Sequence, residues 1–147
     1  MAISAVIIVR NEVKNIEACV ASVSWADEVV VVDSGSTDAT RDLAMRSGAK
    51  VFEREFDDFA AQKNFGIEKA AGEWILFIDA DERVSRPLAG EILRAVAAGE
   101  HQGYYIPRTN IIFGREMKYG GHRGDKHLRL FRKDAARFEG IIHEKAV

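Results

Sequence analysis

A single cysteine, Cys19, stands in 147 residues, so no disulfide can close within the chain. That suits a reducing compartment. Long apolar runs are missing too. "VIIV", "VVVV" and "WILFI" fall far below the ~20 residues a membrane span needs. A strand-like run already starts at Ile3, so no secretory signal is expected ahead of the fold. The expectation from these absences is a soluble cytoplasmic protein. Two nucleotide-binding signatures are absent as well. No G-x-G-x-x-G follows the first apolar run, which argues against a Rossmann dinucleotide site, and no G-x-x-x-x-G-K-[ST] occurs, which argues against a P-loop. Cys/His spacing for structural zinc is lacking. There is no internal repeat and no low-complexity linker. The "RGD" at 123–125 is too common a tripeptide to carry adhesive meaning.

What is present is the composition of an ordinary single globular domain, 47% hydrophobic and 30% charged. The net charge of −2 is unevenly spread. Residues 1–100 hold 11 Lys/Arg against 18 Asp/Glu, whereas residues 101–147 hold 10 against 5 and all four histidines. The basic second segment either attracts an anionic partner, such as phosphate or an acidic membrane surface, or is a solvated face. No nucleic-acid partner is expected.

Hydrophobic patterning alternates strand and helix. "ISAVIIV" (3–9), "EVVVVD" (28–33), "AKVFERE" (49–55) and "EWILFID" (73–79) read as strands. Val13, Ile16, Cys19, Val20 and Val23 recur at helical spacing. Ser36 or Thr37 is expected to cap a second helix with Asp38 in its first turn, and Gly48 to close it. A third helix spans 59–71, ended by Gly72. Ser85 and Pro87 open a fourth, whose Leu88, Ile92 and Val96 face inward and which Gly99 ends. Continuous apolar strands between helices imply an α/β fold with a mostly parallel central sheet covered on both faces. After residue 100 the alternation lapses. "GYYIP" (103–107) and "KHLRLFR" (126–132) read as strands with no clear helix between them. The chain stops in what reads as another strand, so a domain truncated at its C-terminus is expected.

In open parallel sheets ligands bind outside the carboxyl ends of the strands, and polar residues collect there three times. The first strand ends in Arg10-Asn11-Glu12, the second in Asp33 and "SGSTD", the fourth in Asp79 and Asp81. Asp33 alone reads equally as a helix cap. Two carboxylates one residue apart repel unless a cation lies by them. Mg2+ or Mn2+ suits such a pair, being a hard ion that keeps positions for phosphate oxygens.

"VIIVRNE" (6–12), "VVVVDSGSTD" (29–38) and "AAQKNFGIEKAAGEWILFIDADE" (60–82) together resemble the family-2 glycosyltransferases of the GT-A fold. The later "LRLFRKDAARFEGIIHE" (128–144) is similar to a branch that includes glucosyltransferases of lipopolysaccharide core assembly. The resemblance implies a nucleotide-sugar-binding half over 1–100 and the start of an acceptor-binding half over 101–147, in one domain. It implies an inverting transfer from a nucleotide sugar, a UDP-sugar, to a glycan or lipid-linked acceptor. Arg10 and Glu12, with Asp33, would hold the nucleotide base, although Arg10 replaces an aromatic often found there. Lys63 would sit by the nucleotide or its diphosphate. Asp79 would contact the ribose side and help bind metal, and Asp81 would ligate it directly. The base is expected at Glu144, with Asp125 as the alternative. His143 reads as structural or as a further metal or phosphate contact. Arg129 and Arg132 are expected on one strand face, toward an anion or simply toward solvent.

Two further readings stay open. The chain could bind the nucleotide sugar without turning it over. A phospho-acceptor receiver domain also gathers acids around Mg2+, but here the third strand ends in "EREFDD" rather than a lone Asp, and the fifth lacks the expected Lys.

Overall fold

The computed structural model describes residues 2–107, 112–113 and 126–135. Strands β1 (Ile3–Val9), β2 (Glu28–Asp33), β3 (Lys50–Glu53) and β4 (Trp74–Asp79) alternate with helices α1 (Ile16–Ser22), α2 (Thr40–Arg46) and α3 (Phe59–Lys69). A short strand β5 (Glu82–Arg83), helix α4 (Arg86–Ala98) and strands β6 (Gly103–Pro107), β7 (Ile112–Phe113) and β8 (Lys126–Arg132) follow. The main sheet has the order β3-β2-β1-β4-β8-β6. Pairings among β1 to β4 are parallel; β8 runs antiparallel to both β4 and β6. β5 and β7 form a separate antiparallel pair.

The period-two geometry of a strand sends successive side chains to opposite faces. Ile3, Ala5, Ile7, Val29, Val31, Trp74, Leu76 and Ile78 therefore join one core with residues of α1, α2 and α4. Val6, Val30, Val32, Ile75 and Phe77 join the other, under α3. Both faces need apolar side chains, so the strands are almost wholly apolar, with Ser4 a buried polar residue in β1. Each fully buried Val, Ile or Leu contributes roughly 1.5–3 kcal/mol. Helix α3 lies close on its face at Gly66. A Cβ there would stand 2.6 Å from Val6 Cγ1.

Several boundaries differ from the sequence expectation. Helix α1 begins at Ile16, because Glu12 O already accepts from the Asn15 and Ile16 amides; Val13 precedes it and is 38% exposed. Neither Ser36 nor Thr37 caps α2, which starts behind Ala39 without a side-chain cap. Ser36 is held instead by Asp33, so the chain turns for three more residues before the helix begins. Helix α3 ends before Ala70, whose extended backbone (ψ 136°) terminates it. Gly72 permits a close approach instead, since a Cβ there would meet Ser4 Oγ at 2.6 Å and Ser4 N at 2.9 Å. Helix α4 matches its expectation, with Ser85 Oγ accepting from Leu88 N, Pro87 in the first turn, and Gly99 left-handed at its end (φ 62°).

Among the described residues, no helix is long and apolar enough to cross a membrane.

Candidate functional site at the carboxyl ends of the strands

The parallel register levels the strand ends. Val9 pairs with Asp33, Asp33 with Glu53, and Ile8 with Asp79. The loops after β1, β2 and β4 therefore leave one rim of the sheet.

The first two loops are laced together. Asn11 takes a left-handed backbone (φ 51°), which Asn tolerates better than most residues. Its amide donates to Ser36 Oγ at 2.9 Å, and its Oδ1 accepts from Thr37 N at 2.8 Å. Glu12 N donates to Thr40 Oγ1 at 2.9 Å. The Glu12 carboxylate accepts from Asn15 Nδ2 at 3.2 Å, and the Arg10 side chain next to it is exposed. Asp33 is fully buried. Its Oδ2 accepts from the Gly35 and Ser36 amides (3.1 and 2.9 Å) and from Arg41 Nη1 (3.2 Å), while Oδ1 accepts from Ser36 Oγ. The Asp33 carboxylate thus shapes the turn that follows it. Arg41 also reaches Glu53 at 2.7 Å, binding the ends of β2 and β3. Asp38, exposed, is held below the ordinary carboxylate range chiefly by the Thr40 hydroxyl.

The third loop is a tight reversal between β4 and β5. Asp79 is exposed and Asp81 partly exposed, while Ala80 and Glu82 are buried. Glu82 folds back beneath the turn and accepts from Asp79 N at 2.8 Å. Arg129 meets it with two parallel bonds, Nη1 to Oε1 at 2.5 Å and Nη2 to Oε2 at 2.8 Å. Burial pushes the Glu82 carboxyl up, with the Asp79 charge adding to this and Arg129 opposing it. Cys19 Sγ lies 3.5 Å from Asp79 O, and burial pushes its thiol up to about 12.

The two arginines of β8 reach different partners. Arg129 is buried on Glu82, whereas Arg132 is partly exposed and lies 3.4 Å from Asp134. The pairing of β6 with β8 also shifts register here: Tyr104 faces Leu130 and Tyr105 faces Leu128, so Arg129 is the extra residue of a bulge. Such a bulge re-aims the side chain it carries.

Lys63 sits on α3, partly buried, with Nζ 6.0 Å from the Phe77 ring centroid. The structure thus brings Arg10, Glu12 and Asp33 together through adjoining loops and sets Asp79 and Asp81 at the same rim. Glu144, Asp125 and His143 lie outside the described residues. Sequence reasoning missed the roles of Asn11, Ser36, Thr40, Glu82 and Arg129. Glu82 carried a signal, standing three residues after Asp79, the spacing that closes a turn.

The donor set suits a hard dication. Among the described residues no group of three His, Cys, Asp or Glu gathers that could hold a metal. Glu82 is committed to Arg129, so the acids of this turn that face outward are Asp79, exposed, and Asp81, partly exposed. Two carboxylates match an ion such as Mg2+ or Mn2+ that keeps water and phosphate oxygens, and do not match an all-protein cage.

The description Glycosyl transferase family 2 matches residues 4–143. The chain belongs to this family. The GT-A fold implied by the sequence resemblance is the fold observed. A glycosyltransferase of Rickettsia bellii is 38% identical over 130 residues, covering 88% of this chain and 42% of that protein. The lipopolysaccharide core biosynthesis glycosyltransferase LpsC of Rhizobium meliloti is 31% identical over 155 residues, covering 97% of this chain and 57% of that one. The chain therefore spans about half the length of these relatives. Glucosyl-3-phosphoglycerate synthase of Mycobacterium tuberculosis, solved with Mn2+, UDP and glucosyl-3-phosphoglycerate, superposes with a TM-score of 0.59 at 31% identity, covering 67% of this chain and 40% of that one.

Proposed function

We propose that this family-2 chain forms the donor side of a metal-dependent inverting glycosyltransferase. Sugar passes from a nucleotide sugar, a UDP-sugar, to a glycan or lipid-linked acceptor in cell-envelope polysaccharide synthesis. The observation that carries this reading is the levelled rim, where three polar loops leave neighbouring parallel strands and two of them are hydrogen-bonded to each other. The binding of UDP and Mn2+ by a similar structure, and the name of LpsC, support the donor and the acceptor class.

In this reading Arg10 and Glu12 face the nucleotide base, and Asp33 acts by ordering the loop that borders it. Lys63 lies toward the diphosphate. Asp81, with Asp79, holds Mn2+ or Mg2+, which when bound offsets charge on the departing diphosphate. Glu144, or alternatively Asp125, takes the proton of the acceptor hydroxyl on the face opposite the leaving group, so the anomeric carbon inverts.

Titration of the chain with UDP, with and without Mn2+, tests the donor site. Mn2+ is expected to tighten UDP binding, and Asp81→Asn to abolish that increment while leaving the fold intact. Metal-independent binding, or binding indifferent to Asp81→Asn, overturns the reading.

A second reading, a nucleotide-sugar-binding module without turnover, is favoured by the coverage of only about half of the relatives. Comparing sugar transfer by these 147 residues with transfer by a longer form separates the two. Full activity in the short form removes the second reading.

A further inference from the structure

We infer that the buried Glu82–Arg129 pair is a positioning unit for the Asp79–Asp81 turn, fixing the backbone that presents its carboxylates to a dication. This rests on the donor-site reading above.

Three observations carry it. The first is the hydrogen bond from Asp79 N to Glu82 Oε1 at 2.8 Å. It closes the reversal from beneath, so the Asp79 and Asp81 carboxylates stay on the outer side while the Glu82 carboxylate points inward. A turn of Asp-Ala-Asp-Glu could otherwise swing any of its three acids outward.

The second is charge. Arg129 compensates the buried Glu82 carboxylate through two parallel hydrogen bonds, so the acid that closes the turn is engaged inward, away from the side where Asp79 lies. The guanidinium is the side chain suited to this, since its planar fork matches both carboxylate oxygens.

The third is how the pair is reached. Arg129 belongs to β8, far along the chain from the turn. Its side chain gets there from a bulge, a distortion of the β6–β8 ladder at that one residue. The arrangement is not optimised for stability alone. Among the described residues, Arg129 Nε is buried with no hydrogen-bond partner. A buried ion pair is in general no more stabilising than apolar side chains of similar volume. A pair that costs a ladder irregularity and leaves a buried donor unmet, and sits beneath the turn that carries Asp79 and Asp81, is explained by holding that turn in place. Groups that orient metal ligands from behind commonly change metal affinity by ~10–100-fold when replaced.

The double substitution Glu82→Leu with Arg129→Met tests this. It removes both charges together, so neither is stranded, and it leaves Asp79 N without the Glu82 acceptor that closes the turn. Free Mn2+ is followed by electron paramagnetic resonance, UDP binding by calorimetry with and without Mn2+, and folding by circular dichroism. The expected result is a folded protein whose metal-free UDP affinity is within about twofold of the wild type, and whose Mn2+ affinity is lower by about tenfold or more. Restoring Glu82 and Arg129 one at a time is expected not to recover Mn2+ affinity, because each leaves the pair incomplete. A folded double variant with wild-type Mn2+ affinity overturns the inference and assigns the pair to stability alone. If the wild type itself shows no Mn2+-dependent UDP binding, it is the donor-site reading that fails.

Discussion

The two ends of the parallel sheet each hold a hydrogen-bonded carboxylate, Glu28 partly buried and Glu82 fully buried, and they use it differently. At the amino end Glu28, its side chain 10% exposed, accepts from the Ser4 hydroxyl at 2.6 Å and the Ala71 amide at 2.5 Å, and lies 3.2 Å from Lys50. Ser4 Oγ in turn accepts from Gly72 N, and Lys133 Nζ donates to Ala70 O. These groups tie the α3–β4 connection to β1 and β2. At the carboxyl end Glu82 also bonds a backbone amide, but the turn it supports carries Asp79 and Asp81 toward solvent. One rim spends its polar groups on joining strands. The other uses a buried pair to support acids that face outward. A parallel sheet favours this division, since ligands bind beyond the carboxyl ends of its strands.

The largest break in this comparison comes from Arg129→Met alone. It strands the Glu82 carboxylate beneath the turn with no opposite charge. Removing one partner of a buried pair costs about 3–5 kcal/mol. For a chain of this size that lowers Tm by roughly 10 °C. Thermal unfolding followed by circular dichroism checks it. A shift of only a degree or so would show that Glu82 has another partner and that the carboxyl rim is not organised as described.

Glu28→Gln tests the amino rim and is expected to cost less, about 1–2 kcal/mol, the scale of a few hydrogen bonds to a charged group partly open to water. Burial pushes the Glu28 carboxyl up, but the Ser4 hydroxyl, the Ala71 amide and Lys50 more than offset this and hold it below the ordinary glutamate value. A depressed folded value means stability that is present above the ordinary carboxylate range and is lost as pH falls through the folded value. The variant should therefore lose less stability than the wild type between neutral and acid pH. It should also bind UDP and Mn2+ as the wild type does, because it lies at the opposite rim. Weakened Mn2+ binding in Glu28→Gln would show that the two rims are coupled.

Much of this division is legible in the sequence. Almost wholly apolar runs in β1, β2 and β4 announce a sheet buried on both faces, and the acids that end those runs mark the rim. Ser85, Pro87 and Gly99 delimit α4 because capping is a local matter. What escapes is whatever depends on partners distant in the chain. Ser36 reads as a cap from its neighbours, yet Asp33 and Asn11 hold it. Gly72 reads as a helix stop, yet its need is the close approach of Ser4. Arg129 reads as surface charge because a bulge leaves no mark in the sequence, and the bulge is what turns it inward. Asp33 reads as a ligand contact, and its neighbours do not reveal that its carboxylate also shapes its own loop.

The smallest effect sharpens the contrast through Cys19, which packs on α1 beneath the Asp79 carbonyl. Burial is the main cause of its high thiol value of about 12, with the Glu82 charge adding and Arg83 opposing. Since the thiolate is the reactive form, a disulfide reagent at mildly alkaline pH should label the native protein only when it opens. A folded value above the ordinary 9.0 also means stability that is complete below that pH and drains away as pH rises toward about 12. Labelling rates then report which rim opens. If the carboxyl rim is held by Glu82 and Arg129, wild-type labelling tracks global unfolding, and Glu28→Gln accelerates it only in proportion to the stability it loses. Arg129→Met should accelerate it further than its own loss of global stability accounts for, because the turn over the thiol is what that change loosens. Equal acceleration per unit of stability in the two variants would mean that the rims open together, as one cooperative unit.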